Sequence, residues 1–411
     1  MSRVPGPAVV TTDLPSIAVI AFSINTPHDD DLCLAEDISE SIATGLTKFR
    51  DLRVVGPLVN YSNITMDAKE FAQRHGVRFL LHGKIQIQGD TLRIRASLLD
   101  TSTGFKVWSQ IYEYTQTATN YLEIEKAITR QIVGTLTDHE GAIFSIISKE
   151  SRQKHPSRLG FHDAVQRHEH FLKLFTVDAY HEAAEALELV TKADPNNAEA
   201  LAMLSITYTI HYQHDMELSA PSLEEIERLA KRAVALDPEC QTAHFAEAMV
   251  RFSQRQADRC IAKLRMANSL NSFTTYFIHG YEALLCMLGY WEEGMRLWKQ
   301  AMRLNPHYPI SESFVPFMFH YRHGDYKEAW NYAVRFNSHI FWDPLIRAAA
   351  AGQRGLHAEA KEALQELLVM RPDFPSRARE LMRRVVYLDE HVTMLLDGLL
   401  KAGLKLEVSK N

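Results

Sequence analysis

Cysteine is scarce. The chain of 411 residues has four (Cys33, Cys240, Cys260 and Cys286) and no CxxC pair. That spacing argues against a disulfide framework or a zinc ribbon, and scattered cysteines in helical patterns read as small buried hydrophobes in a reducing compartment. No apolar run approaches the ~18–20 residues that a spanning helix requires. Residues 1 to 13 lack a basic region followed by an apolar core, so no secretory signal is expected. The phosphate- and nucleophile-presenting motifs GxxxxGK[ST], GxGxxG and GxSxG are missing. Positive charge is not in excess either: the formal net charge of −6 argues against a dominant nucleic-acid surface. The expectation is a cytoplasmic chain with no cofactor, no metal and no catalytic set. What remains is an ordinary globular composition, 46% hydrophobic and 23% charged, in a chain long enough for two or more domains.

Residues 1–15 form a lead rich in Pro, Gly and Thr, without period, and are expected to be disordered. Ser16-Ile-Ala-Val-Ile-Ala-Phe22 is a continuous apolar run fit for a buried strand. Leu34, Ile38, Ile42, Leu46 and Phe49 then fall at helical spacing behind the Asp29-Asp30-Asp31 carboxylates. A second strand spans Asp51 to Gly56, and a short helix Asp67 to His75 stops at Gly76. Val77–Ile87 and Leu92–Leu99 alternate around Gln88-Gly89-Asp90, the pattern of a half-buried hairpin. A third antiparallel strand, Lys106–Tyr114, and one long helix, Tyr121–Ile147, complete an α+β domain with a mixed sheet over residues 16–150.

From Gly160 the pattern changes to repeats. Gly324-Asp-Tyr-Lys-Glu-Ala329 reads as a turn and second-helix start, and the residue placed like Ala329 recurs at Ala183, Ile226, Cys260, Gly294 and Ala360. The gaps are 43, 34, 34, 35 and 31 residues. Pro195, Pro238, Pro306 and Pro372 mark repeat ends in the same register, and Gly289, Gly324 and Gly355 mark turns that need φ > 0. The array resembles tetratricopeptide repeats, whose period is about 34 residues. It gives an all-α solenoid of about seven helix pairs over residues 158–404, the last a less regular pair (376–388 and 391–401) expected to cap an exposed end.

The first half resembles a known domain as well. Ile17-Ala-Val-Ile-Ala-Phe22, Leu52-Arg-Val-Val55, Gly76-Val-Arg-Phe-Leu-Leu-His-Gly83, Gly89-Asp90, Leu98-Leu-Asp100, Thr103-Gly104 and Trp108 are similar to the TolB amino-terminal-like domain that precedes tetratricopeptide repeats in bacterial chains. Leu395-Leu-Asp-Gly-Leu-Leu-Lys-Ala-Gly-Leu404 resembles how such chains end. The resemblance implies an output partner, either a class III adenylate/guanylate cyclase domain or a winged-helix DNA-binding domain. With fifteen residues before the first strand, that output domain is expected on a separate chain. Two departures stand out: Ala35-Glu36-Asp37 replaces a small glycine turn, and His82 and Lys84 flank Gly83 in place of an acidic residue and a serine.

Three functional readings follow. The leading one is a non-enzymatic regulatory adaptor, whose repeats bind a protein or peptide partner while the α+β domain meets a second surface or a second copy. In tetratricopeptide folds the first helix of each pair lines the concave face. Here that face would carry Phe245, Met249, Phe252, Tyr276, His279, Phe314, Met318 and Tyr321, an aromatic and methionine stripe suited to an apolar peptide. The second reading is a small-molecule sensor holding its ligand near Gly83, Lys84 and Arg95. The third, a hidden enzyme, lacks a nucleophile–base–orienter set. His211-x-x-His214 beside Asp215, His320-x-x-His323 and His168-Glu169-His170 read as solvated or capping histidines rather than zinc ligands. Glu224-Glu225 and Glu292-Glu293 suit helix first turns. Arg377, Arg379, Arg383 and Arg384 form a basic face expected to be solvated or to meet an acidic partner.

Overall fold

The computed structural model describes residues 15–24, 29–49, 52–59, 68–115, 121–137, 142–151, 160–216, 221–271, 275–304 and 313–407, so the amino-terminal lead lies outside the described residues. The chain divides into two compact units, Met1–Glu150 and Ser151–Asn411.

In the first unit, β1 (Ser16–Ile20) is central. It pairs in parallel with β3 (Arg53–Leu58) and β4 (Phe79–Gln88), and β4, β5 (Thr91–Asp100) and β6 (Phe105–Thr115) continue as an antiparallel meander. A short β2 (Ser23–Ile24) adds to β4. Alternation decides the two faces. Ala18, Ile20 and Leu80 pack against Phe71 of α2 (Ala68–His75) and Val77. Ile17, Val19, Phe79 and Leu81 lie on the opposite face, which continues along β4 and β5 in the pairs Leu81–Leu98, Ile85–Ile94 and Ile87–Leu92. That face extends to Tyr114 of β6, whose hydroxyl donates to Gln131 of α3 (Tyr121–Thr137) at 2.7 Å. Helix α1 (Asp29–Thr47) packs on α3 and is tied to the sheet by Ser39 Oγ, which accepts from the Phe22 amide at 2.9 Å. Of the helix expected over Tyr121–Ile147, α3 (Tyr121–Thr137) and α4 (Ala142–Ser151) are helical, and residues 138–141 between them lie outside the described residues.

The second unit is an all-α solenoid. Its pairs are α5 (Phe161–Leu174) with α6 (Val177–Ala193), α7 (Ala198–His214) with α8 (Leu223–Leu236), and α9 (Gln241–Ser253) with α10 (Ala257–Leu270). They continue with α11 (Thr275–Met287) and α12 (Trp291–Leu304), α13 (Phe314–Arg322) and α14 (Tyr326–Ala333), and α15 (Trp342–Arg354) and α16 (His357–Met370). Two last helices follow, α17 (Phe374–Arg383) and α18 (Asp389–Lys401).

The repeat landmark has a steric cause. Ile226, Cys260, Gly294, Ala329 and Ala360 are each the fourth residue of their second helix and sit where it crosses the first. At Gly294 a Cβ would lie 2.9 Å from the Glu282 carbonyl oxygen, so even a methyl group is too large there. Ala183 is one helical turn out of this register; the fourth residue of α6 is Tyr180, buried like the others.

Each first helix of pairs one to six ends in a residue with positive φ: Phe175 (50°), Asp215 (47°), Arg255 (61°), Gly289 (99°), Gly324 (76°) and Gly355 (68°). Glycine adopts this left-handed conformation freely, and side-chain-bearing residues rarely do. Pairs four to six use the unstrained residue and pairs one to three do not.

Candidate functional site

The expected seventh pair does not continue the stack. Helix α18 packs on α15, the first helix of the sixth pair, and residues 371–404 run back along the surface built by the first helices. The physical reason lies in a series of contacts that follow chain order.

The strap begins at the end of α7. The Asp215 carboxylate, 13% exposed, accepts from Arg371 at 2.6 Å, Arg384 at 2.7 Å and Arg377 at 3.0 Å. Arg371 and Arg384 also donate to the carbonyls of Asp215 (3.0 Å) and Tyr212 (2.9 Å), which end α7. Burial pushes the Asp215 pKa up, but hydrogen bonds from Arg377 and Arg371 and the charge of Arg384 outweigh it and hold the carboxyl below its ordinary value. The basic face read from the sequence is therefore neither solvated nor turned to an outside partner at Arg377 and Arg384. Asp215, Asp373 and Glu380 within the chain neutralise it.

The next contact is at the end of α9. The Arg255 guanidinium stacks over Tyr387 at 4.3 Å, donates to the Arg383 carbonyl at 3.3 Å and lies 3.5 Å from the Asp389 carboxylate. Phe252 packs its ring on Tyr387 with centroids 5.2 Å apart. In pair four, Trp291 meets His391 edge to face at 5.5 Å. In pair five, the Tyr321 hydroxyl donates to the Met394 carbonyl at 3.1 Å. In pair six, Gln353 donates to Asp397 at 2.8 Å and accepts from Lys401 at 2.7 Å. There α15 and α18 cross backbone to backbone at Gly352 and Gly398: a Cβ on Gly352 would lie 2.8 Å from the Ala402 nitrogen.

The stripe expected to line an open groove is mostly interior. Phe245, Met249, Phe252, Met318 and Tyr321 are buried, and Phe314 is half-buried against Phe317, Phe336 and Trp342. Phe245 fills the space left by the missing side chain of Gly280 on the next first helix. Helical spacing marks an apolar face but not what covers it, and here neighbouring pairs and the strap do. The side chains of Tyr276 and His279 lie outside the described residues. Two of the eight, Phe252 and Tyr321, do touch a polypeptide segment, and it is the chain's own.

Gly83, Lys84 and Arg95 come together in the hairpin, with Gly83 opposite Ala96 and Lys84 opposite Arg95. Gly83 has a packing role, since the Phe22 ring occupies the place of its Cβ. Lys84 and Arg95 are exposed on the sheet face opposite α3, beside Ile111 of β6.

His168 and His211 differ from the expectation of solvated or capping histidines, and His320 and His323 fit it. His211 is buried and stacks on Tyr180 at 4.1 Å, and the half-buried His214 meets the Phe175 ring edge-on at 5.5 Å. His320 pairs with Asp325 at 3.2 Å, and His323 bonds the Phe319 carbonyl at 2.8 Å. His168 is buried at 1% exposure, with Nδ1 2.8 Å from the Thr207 hydroxyl. Thr207 already donates to the Met203 carbonyl, so His168 Nδ1–H must be the donor. No group of three metal-ligating side chains occurs among the described residues. Cys33 is exposed, unlike the three buried cysteines. No helix among the described residues is long and apolar enough to cross a membrane.

Burial holds the His168 pKa down at about 3. A histidine depressed in the folded state contributes stability that is complete above its unfolded value, about 6.5, and is lost as pH falls toward the folded one. As pH falls from 6.5 to 5, before carboxylates titrate, the cost of His168 to the fold should steepen from about 0.7 toward about 1.4 kcal/mol per pH unit. Urea midpoints of the wild type and His168→Gln across that range check this. The variant should lose close to one proton of the pH dependence, whereas parallel slopes would show that His168 stays neutral in both states.

The fold and this surface define the class: an α+β unit followed in one chain by a tetratricopeptide-type helical solenoid. No family model matches the chain. Over 249 residues it is 26% identical to a protein of Rhizobium meliloti (strain 1021) named "Putative adenylate cyclase 3", covering 59% of this chain and 41% of that protein. The chain thus spans about two fifths of that relative's length. Similar solved structures include the APC/C hetero-tetramer Cut9–Hcn1 (13% identical, 70% of this chain, 62% of that chain, TM-score 0.43). Others are YrrB, a tetratricopeptide protein described with an unusual peptide-binding site (15%, 46%, 95%, TM-score 0.29), and TolB from Acinetobacter baumannii (14%, 30%, 28%, TM-score 0.22).

Proposed function

We propose that the protein is a non-catalytic regulatory adaptor whose repeat array engages a protein partner. One observation carries the reading: the array already seats a polypeptide helix, α18, through contacts from successive repeats, Trp291 on His391, Tyr321 on the Met394 carbonyl and Gln353 on Asp397. An array that reads a helix residue by residue has the chemistry of a peptide-binding surface. The finer reading is a form of the TolB-like and repeat module that acts on a separately made cyclase or transcription regulator. The sequence resemblance in the first unit and the likeness to a relative named as an adenylate cyclase support it.

Two measurements test this. Purified chain given ATP or GTP with Mg²⁺ or Mn²⁺ should form no cyclic nucleotide, and turnover would overturn the non-catalytic reading. Affinity capture followed by cross-linking should place partner cross-links on helices α5–α16. Cross-links confined to residues 16–150 would move recognition to the α+β unit.

A further inference from the structure

We propose that residues 371–404 are an internal ligand of the repeat array, and that a partner engages the same surface by presenting an arginine-flanked amphipathic helix in the strap's place. The inference rests on the adaptor reading and specifies its partner.

Two observations carry it. The first is the register. Residues 371–384 meet the end of α7, 383–389 the end of α9, 388–391 the turn from α11 to α12, 394 meets α13, and 397–402 meet α15. A capping pair would contact only the repeat before it. This segment crosses five repeats in order, as a bound peptide does.

The second is the backbone at two grip points. Pairs four to six place glycine at the left-handed turn, whereas pairs one to three place Phe175, Asp215 and Arg255 there, and of these Asp215 and Arg255 are charged. Those two side chains hold the first half of the strap, Asp215 through three arginines and Arg255 through Tyr387, Asp389 and a carbonyl. A strained conformation that the surroundings maintain is a mark of a functional contact. Here it aims one carboxylate and one guanidinium at the segment.

The chemistry of the strap then describes the competitor. Its first half is held by ion pairs whose members keep contact with water: Arg377 is 29% exposed and Arg255 34%. Such pairs can be exchanged for another chain's arginines. Its second half is an apolar helical face, Val392, Leu395 and Leu399, with Gly398 at the crossing. A competing segment needs arginines for Asp215, then a helix with a small residue where it crosses Gly352.

Hydrogen exchange on the full chain, with a fluorescent peptide of residues 371–407 as probe, tests the proposal without any outside partner, so the result stands apart from the capture experiment. Amides of α17 and α18 should exchange about ten-fold faster than those of α9 and α15, as a sub-global opening requires. Arg377→Gln/Arg384→Gln removes two of the strap's ion pairs and leaves Asp215 free for the probe, which keeps the natural arginines. It should speed strap exchange about another ten-fold, leave α9 and α15 unchanged, and raise peptide binding in proportion. Strap amides that exchange together with α9 and α15 in both chains would overturn the proposal. So would a variant with intact α9 and α15 protection and an opened strap that binds no peptide.

Discussion

Gly398→Ala should destabilise the second unit by about 2 kcal/mol and Gly398→Leu by 3 kcal/mol or more, where mid-helix propensity alone predicts a gain of about 1 kcal/mol for alanine. The sign reverses because of what surrounds the missing side chain. A Cβ at Gly398 would lie 2.5 Å from the Ala349 carbonyl oxygen of α15. That neighbour is backbone, so relief requires the two helices to separate. Separation also exposes Val392, Leu395 and Leu399, all fully buried in the α18 face, and removes the Tyr321 bond to the Met394 carbonyl. Urea unfolding followed by tryptophan fluorescence reads this well, because Trp291, Trp298, Trp330 and Trp342 lie in the second unit and only Trp108 in the first. An unchanged or raised midpoint for Gly398→Ala would show that α18 does not rest on α15.

The architecture was legible because its signals are local. A period near 34 residues, glycines at the turns and small residues at the second-helix crossing are all set within one repeat, and each has a steric cause at Gly294 and Gly355. The β1 run and the hairpin alternation were equally local. The path of the last two helices was not. Phe374, Ala378 and Leu381 have a helical period that would serve a stacked pair as well as a returning strap. The choice is made by Asp215 and Arg255, far away in sequence. One clue did lie in the sequence: where later turns carry Gly289, Gly324 and Gly355, the second and third carry a charged residue. The stripe from Phe245 to Tyr321 was identified as apolar and surface-building, but periodicity does not say whether a neighbour, a strap or a partner covers it. His211 and His214 show the same limit, since spacing revealed neither Tyr180 nor Phe175 against their rings.

Arg251→Met should cost about 3 kcal/mol, the loss expected when one member of a buried ion network is removed and its partners stay. Arg251 is buried on α9 and joins three helices. It donates to Glu227 of α8 at 2.8 Å and to Glu247 of its own helix at 3.1 Å, while Lys263 of α10 holds the other Glu247 oxygen at 2.7 Å. Glu227 is further tied to Lys231 at 2.7 Å and accepts from Gln254 at 2.6 Å. The hydrogen bond from Lys231 is the largest cause that brings the Glu227 pKa down to about 2, with Gln254 and Arg251 adding to it against burial. At Glu247 burial pushes up, and Lys263 and Arg251 together outweigh it. Without Arg251, Glu247 keeps one lysine in a buried site, and its carboxyl should titrate nearer its ordinary value. A carboxylate held low contributes stability above its unfolded value of about 4.5, and that stability is lost as pH falls through the folded one. The variant should therefore lose less stability than the wild type between pH 4.5 and pH 3. The double variant Arg251→Met/Glu247→Gln should recover part of the loss, because the stranded charge is gone. Additive losses would show that Arg251 and Glu247 act separately.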